Sequence, residues 1–361
     1  MMSTKERLFS LDAARAFAIL CVVICHVSET VFPIYDIEIN AMGYPLKIIP
    51  LVLRTIGTLG VPLFLYMTGF LLLHRPYDSH ATSRFYRTRF LLLLAVSTIW
   101  TVLWRFFRLL ISGGSLSLLT LWKDAFFASG AVFSQIWYLP MILNLYLLVP
   151  FLSNALHAAD LKWIWRIAII LLIFQCGVPL WNHLCECLHM PVFYTDFHFK
   201  THLSFYILLA VLGHLARRDE RLKKIPKCLL LAVAAFAFAS VVFVQLFFLD
   251  RNYGEWISLV QYNDPLLLAC TFALLLFFLR TGGRHVPAPC RHAAESLSRC
   301  SFGIYLIHFT IIDAVSPFIM SGFSDAAAWV ILMIVTLGGS WLFVKLFSFH
   351  PKLRKYLFFM H

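Results

Sequence analysis

The chain has 361 residues, 61% hydrophobic and 13% charged, with a mean hydropathy of +0.81 and a net charge of +12. That balance excludes a water-soluble globular domain. The positive charge would suit a nucleic-acid binder, but in a chain this apolar it reads as Lys and Arg gathered in cytoplasmic loops, so no nucleic-acid partner is expected.

Apolar runs fall at 10–32, 51–73, 90–111, 136–152, 163–181, 201–216, 228–249, 262–279, 301–320 and 326–347. Each lies near the roughly 17–25 residues that a spanning helix needs, and the two shortest, at 136 and 201, also fit buried or broken helices. The expected fold is an all-α, polytopic membrane bundle of about ten transmembrane helices. It forms a single domain over residues 1–361 with no soluble domain appended. With the N-terminus in the cytoplasm, the outer segments collect Lys47, Lys123, Lys200 and Arg251, against 21 Lys and Arg in the inner ones. This asymmetry predicts that both termini are cytoplasmic, because one missed span would spoil the alternation.

In the first span Asp12, Arg15 and His26 interrupt the apolar stretch and no small-residue cleavage site follows, so it reads as a retained helix rather than a signal sequence. An ionisable group within a span costs about 3 kcal/mol, so those that persist usually face a cavity or a partner. Arg15 and His26 are eleven positions apart, which on a helix leaves them about 20° apart in direction and about 16 Å apart along the axis. Two polar groups on one face fit a lined pathway. They also fit an Arg15 that snorkels or pairs with Asp12, and a His26 that bonds a neighbouring helix. Glu29, three residues beyond His26, is placed to orient the imidazole.

The second span carries GVPLFLYMTG, whose Gly60, Pro62 and Gly69 predict a broken or closely packed helix. The third opens with Arg84, Arg87 and Arg89 in SRFYRTRF, which serves either as a topology anchor or as an anion site, since guanidinium groups suit phosphate well. Arg54 in the second span and Arg105 and Arg108 in the third are further cations that pair with acids, snorkel, or select an anionic acceptor. Trp137 and Tyr138, at the start of the fourth span, suit an aromatic belt as well as a site. In the ninth span Ser301, Tyr305 and His308 recur at spacings of four and three and so share one side. Asp313 follows as a second group able to orient His26. The nine cysteines show no CxxC spacing and read mostly as small hydrophobes, with Cys185 and Cys187 assigned to an outer loop. No metal dependence is expected.

Arg15 and His26 as R-x10-H, GVPLFLYMTG, Arg87-Thr-Arg89, WYLPMILNLYLLVP and SFGIYLIH run in this order over almost the whole chain. Together they resemble acyltransferase family 3, the bacterial membrane O-acyltransferases, and within it the stand-alone O-acetyltransferases of surface polysaccharides. The resemblance implies a multi-pass protein of the bacterial cytoplasmic (inner) membrane. Such a protein transfers an acyl group, usually acetyl, from cytoplasmic acyl-CoA to a hydroxyl of a glycan or lipid-linked sugar on the far side. Its partners are then acetyl-CoA, the sugar acceptor and membrane lipids, and no oligomeric state follows.

On this resemblance His26 acts as general base or as a transient acyl carrier, and Arg15 holds the cofactor or stabilises charge. Arg87 and Arg89, with Arg84, meet the CoA phosphates, while Asp12, Glu29, Ser301, Tyr305, His308 and Asp313 line the cavity or orient its groups. A secondary transporter or channel is the rival class, but no inverted repeat is found.

Overall fold

A computed structural model describes residues 4–32, 47–113, 117–127, 136–187, 190–191, 203–249, 262–281 and 286–360. Lys200, Arg251 and Arg284 of the charge tally, and the first two residues of the predicted sixth span, lie outside them. Every regular element among the described residues is a helix. In chain order these are α1 (Thr4–Val31), α2 (Ile48–Thr58), α3 (Gly60–Leu72), α4 (Ser79–Phe85) and α5 (Leu91–Ser112), the last two joined by a π-helical turn, Tyr86–Phe90. Next come α6 (Leu118–Ala125), α7 (Tyr138–Ala158), α8 (Leu161–Leu172), α9 (Val178–Cys187), α10 (Leu203–Arg218), α11 (Lys227–Leu249) and α12 (Pro265–Leu279). The chain closes with α13 (Ala288–Gly322), α14 (Asp325–Ser348) and α15 (Pro351–Phe358).

Eight helical stretches among the described residues are long and apolar enough to cross a membrane: Phe9–Val31, Ile48–Leu72, Ser79–Ile111, Tyr138–Ala158, Leu161–Asn182, Lys227–Phe247, Ala288–Gly322 and Asp325–Ser348. The other two predicted spans are helices as well, the apolar α12 and the 16-residue α10. Cys185 departs from the loop expected for it: a π-helical turn, Ile173–Gly177, carries α8 on into α9, and Cys185 lies buried within that helix.

The chain divides into two compact units, residues 1–76 with 153–298 and residues 77–152 with 299–361. In the first unit the second span breaks at Leu59, as GVP predicts. Pro62 has no N–H to offer the Thr58 carbonyl, and Leu59 closes a tighter turn onto Ile56 instead. The glycines of this span are where other backbones come closest. A methyl at Gly69 would collide with the Ala210 carbonyl of α10, and one at Gly213 with the Tyr66 carbonyl of α3. In a membrane, where lipid tails are as apolar as side chains, such close packing is a main source of helix association.

At one end of this unit, basic side chains take the last carbonyls of α3 and α7. His214 bonds Leu73 O, Arg217 donates to Phe70 O, and Arg218 donates to Leu156 O and Ala159 O. All three satisfy orphan carbonyls, and the two arginines complement the negative helix ends. His74 lies at the same end, and burial pushes its imidazole below the usual histidine range, with Arg217, Arg75 and His157 adding to the effect. Just past α10, Asp219 accepts from Arg221 and from Trp165 Nε1. The Arg221 guanidinium holds its carboxyl down at about 2, against the effect of burial.

In the second unit, aromatic packing anchors the short α15. Trp100 Nε1 donates to Leu357 O at 2.6 Å, and the fully buried Phe358 ring packs against Trp100 and Phe343. Gly303 leaves the space this needs, since a methyl there would lie 3.0 Å from Phe358 and 2.6 Å from Val344.

Candidate functional site

The first unit holds His26, Glu29, Arg15 and Asp12. α1 is a 28-residue helix, so its turns bring Cys25, His26 and Glu29 to one side. His26 Nδ1 lies 3.2 Å from Glu29 Oε2, and Cys25 Sγ lies 3.6 Å from Glu29 Oε1. His26 and Glu29 are 21% and 25% exposed, mostly but not wholly buried. The carboxylate fixes the histidine's chemistry. Acting as acceptor it puts the ring proton on Nδ1, which leaves Nε2 as the basic nitrogen. Of the two carboxylates considered for orienting His26, Glu29 is therefore the one at its ring, whereas Asp313 accepts from Arg108 at 3.1 Å in the second unit.

Asp12 accepts from the Ser298 hydroxyl at 2.6 Å. Arg15, half-buried on α1, makes no hydrogen bond or ion pair among the described residues, so the alternative in which it pairs with Asp12 is not formed. Arg54 is 5% exposed and so does not snorkel. Its Nη1 donates to Gln245 Oε1 of α11 at 3.4 Å, and the Gln245 amide donates to Thr55 Oγ1 at 2.8 Å. Cys25, His26 and Glu29 also place three ligand atoms within 4.8 Å of one another, near enough to share a metal ion. Arg54 acts electrostatically on the same cluster through Cys25, and a fixed guanidinium there opposes a second cation.

The second unit holds the other predicted residues. Arg84 lies at the end of α4, and Arg87 and Arg89 lie in the π-helical turn that follows, a distortion often found at functional sites. The three are exposed, and among the described residues their guanidinium groups make no ion pair. Tyr86 fixes the turn by donating to Leu147 O at 2.7 Å. On α13, Ser301, Tyr305 and His308 line one side as their spacing predicts. The Tyr305 ring packs 5.3 Å from Tyr138, and the fully buried His308 turns Nδ1 back to the carbonyls of Ile304 and Tyr305. Arg105 pairs with Asp124 through two hydrogen bonds. Arg105 and Arg108 thus follow the pairing expectation.

A family model described as an acyltransferase domain, that of acyltransferase family 3, matches residues 8–345. The chain belongs to acyltransferase family 3. Among curated proteins and among solved structures nothing matches. As a family 3 member with eight apolar helical stretches of spanning length among the described residues, it is a multi-pass membrane acyltransferase.

Sequence reasoning misses the polar network of Arg54, Gln245 and Thr55 in this acyltransferase. The sequence alone reads Cys25 as a small hydrophobe and gives Gln245 and Thr55 no role. The signal available is Gln245 itself, an amide in the otherwise apolar run VVFVQLFFL. A side chain of that kind inside a span needs a partner, and here the partners are Arg54 and Thr55.

Proposed function

We propose that this acyltransferase moves an acetyl group from cytoplasmic acetyl-CoA to a hydroxyl of a cell-surface or lipid-linked glycan on the extracytoplasmic side of a bacterial inner membrane. The observation that carries the reading is the His26–Glu29 pair, a partly exposed imidazole held by a carboxylate inside a helix of spanning length. Within an acyltransferase family, that pair is the equipment for activating a hydroxyl.

In the reaction the acceptor oxygen attacks the thioester carbonyl carbon while His26 Nε2 takes the hydroxyl proton. The tetrahedral intermediate then expels the CoA sulfur, and the proton leaves on the thiol. Glu29 keeps the imidazole in the required tautomer and offsets the imidazolium that forms midway. Arg87 and Arg89, exposed and without ion pairs among the described residues, suit the phosphates of the donor, with Arg84 beside them. Arg15, likewise without an ion pair there, suits the pantetheine or phosphate end.

The test is transfer of label from acetyl-CoA to a glycan fraction by purified protein in lipid nanodiscs. The wild type is expected to transfer, and Arg87→Ala is expected to need more acetyl-CoA. A wild type that neither binds nor consumes any acyl-CoA would end this reading.

A further inference from the structure

The span that runs from Leu161 through the π-helical turn Ile173–Gly177 carries a carboxamide, Gln175, among apolar neighbours. Pro179 stands four residues after it and has no N–H to offer the Gln175 carbonyl. Asn263 supplies the missing donor, with Nδ2 at 3.3 Å from Gln175 O. That bond holds the start of α12 against the turn. Asp264 follows as the cap of α12, its Oδ1 accepting from the N–H groups of Leu266 and Leu267 at 2.8 and 2.9 Å.

These bonds settle the backbone and leave side-chain atoms over. Gln175 is 6% exposed, and its buried Nε2 has no hydrogen-bond partner among the described residues. Asn263 and Asp264 are half-buried, and Asn263 Oδ1 and Asp264 Oδ2 accept no hydrogen bond there either. An amide left unpaired inside a span is costly, and a ligand that accepts from it removes the cost. A π-helical turn is itself a distortion common at functional sites.

Helix packing gives the depth of this set. Ser10 of α1 donates to Thr281 O just past the end of α12, and Phe17 packs on Phe278, so the two helices run antiparallel. His26 lies 16 residues beyond Ser10 and Asp264 lies 17 before Thr281, about 25 Å in each case. Asp264 is therefore level with His26. Sixteen steps of 100° turn His26 about 160° from Ser10, away from the face of α1 that meets α12.

We propose that Gln175, Asn263 and Asp264 form a subsite for the acceptor, holding an uncharged sugar unit next to the one that reacts. This rests on the reading of the chain as an acetyltransferase that acts on a glycan. The Gln175 amide donates to a hydroxyl oxygen, while Asn263 Oδ1 and Asp264 Oδ2 accept from hydroxyl groups. The carboxylate makes the set negative, which suits hydroxyls and turns away phosphate or sulfate. Because His26 faces elsewhere, the set fixes the glycan's position and leaves the reacting hydroxyl to the imidazole.

The experiment follows labelled acetyl transfer from acetyl-CoA to an envelope glycan fraction by full-length protein in nanodiscs. KM for glycan and KM for acetyl-CoA are taken separately for wild type, Gln175→Leu and Asp264→Asn. Gln175→Leu is expected to raise KM for glycan about tenfold, with kcat and KM for acetyl-CoA within about twofold, since binding away from the reacting group is equal in ground and transition states. Asp264→Asn keeps a capping oxygen for α12 and is expected to raise the same KM about fivefold. A wild-type KM for glycan in either variant, an equal rise in KM for acetyl-CoA, or a loss confined to kcat would overturn the inference. Should Gln175→Leu fail to fold, Asp264→Asn alone is read against the same outcomes. A wild type that transfers no label to glycan would instead sink the glycan acetylation reading, which separates the two failures.

Discussion

Around His26 the charged groups are buried or half-buried and set against partners, with imidazole on carboxylate and guanidinium on amide. In the turn Tyr86–Phe90 the arginines stand exposed, and among the described residues they have no acidic partner. The difference follows from the surroundings. A span cannot solvate a lone charge, so whatever is kept there must be held in a fixed geometry, which suits chemistry. A helix end can leave a guanidinium to water, and a water-solvated cation is easily traded for a phosphate. The interior set is therefore expected to govern turnover, and the turn to govern affinity for the donor.

The largest break in that comparison would come from Glu29→Gln, which keeps the shape but removes the charge that orients His26. A fall in kcat of about 10- to 100-fold is expected, with KM for acetyl-CoA little changed. Unchanged turnover would mean that the His26–Glu29 contact has no part in the reaction. Next in size, Arg87→Gln and Arg89→Gln should each raise that KM about tenfold at low salt while leaving kcat within about threefold. The difference from wild type should shrink as ionic strength rises, and a loss confined to kcat would contradict the role given to the turn.

Much of this was legible before the structure. Composition and apolar run length dictate a helical membrane bundle, and GVP marks the break at Leu59 because proline withholds a donor. The four-and-three spacing of Ser301, Tyr305 and His308 places them on one side of α13. Partners were harder to read. By sequence both Asp313 and Glu29 can orient His26, and the fold gives Asp313 to Arg108, a residue 205 positions away in sequence. Arg54 and Gln245 are 191 positions apart, and no local pattern announces such a pair. The π-helical turn that carries Arg87 and Arg89 leaves no sequence signature in YRTRF that could have been anticipated.

Two smaller effects sharpen the comparison by touching neither region. Gly69→Leu should destabilise the first unit without a specific effect on KM, read as loss of monodisperse protein at lower temperature, because the Ala210 carbonyl occupies the space the side chain needs. Asp219→Asn should cost about 1–2 kcal/mol near neutral pH, the Arg221-paired carboxylate having its folded value depressed to about 2. Since a depressed carboxylate contributes stability above its unfolded value of about 4, the wild-type advantage in Tm should be full at pH 5 and shrink as pH falls toward 2. A gap between wild type and variant that stays constant across that range would contradict the pairing.

The most direct test of the whole account is acetyl-CoA binding and turnover measured side by side on His26→Asn in nanodiscs. The account predicts a Kd within about twofold of wild type and turnover reduced by about a thousandfold. Full turnover by this variant would contradict it.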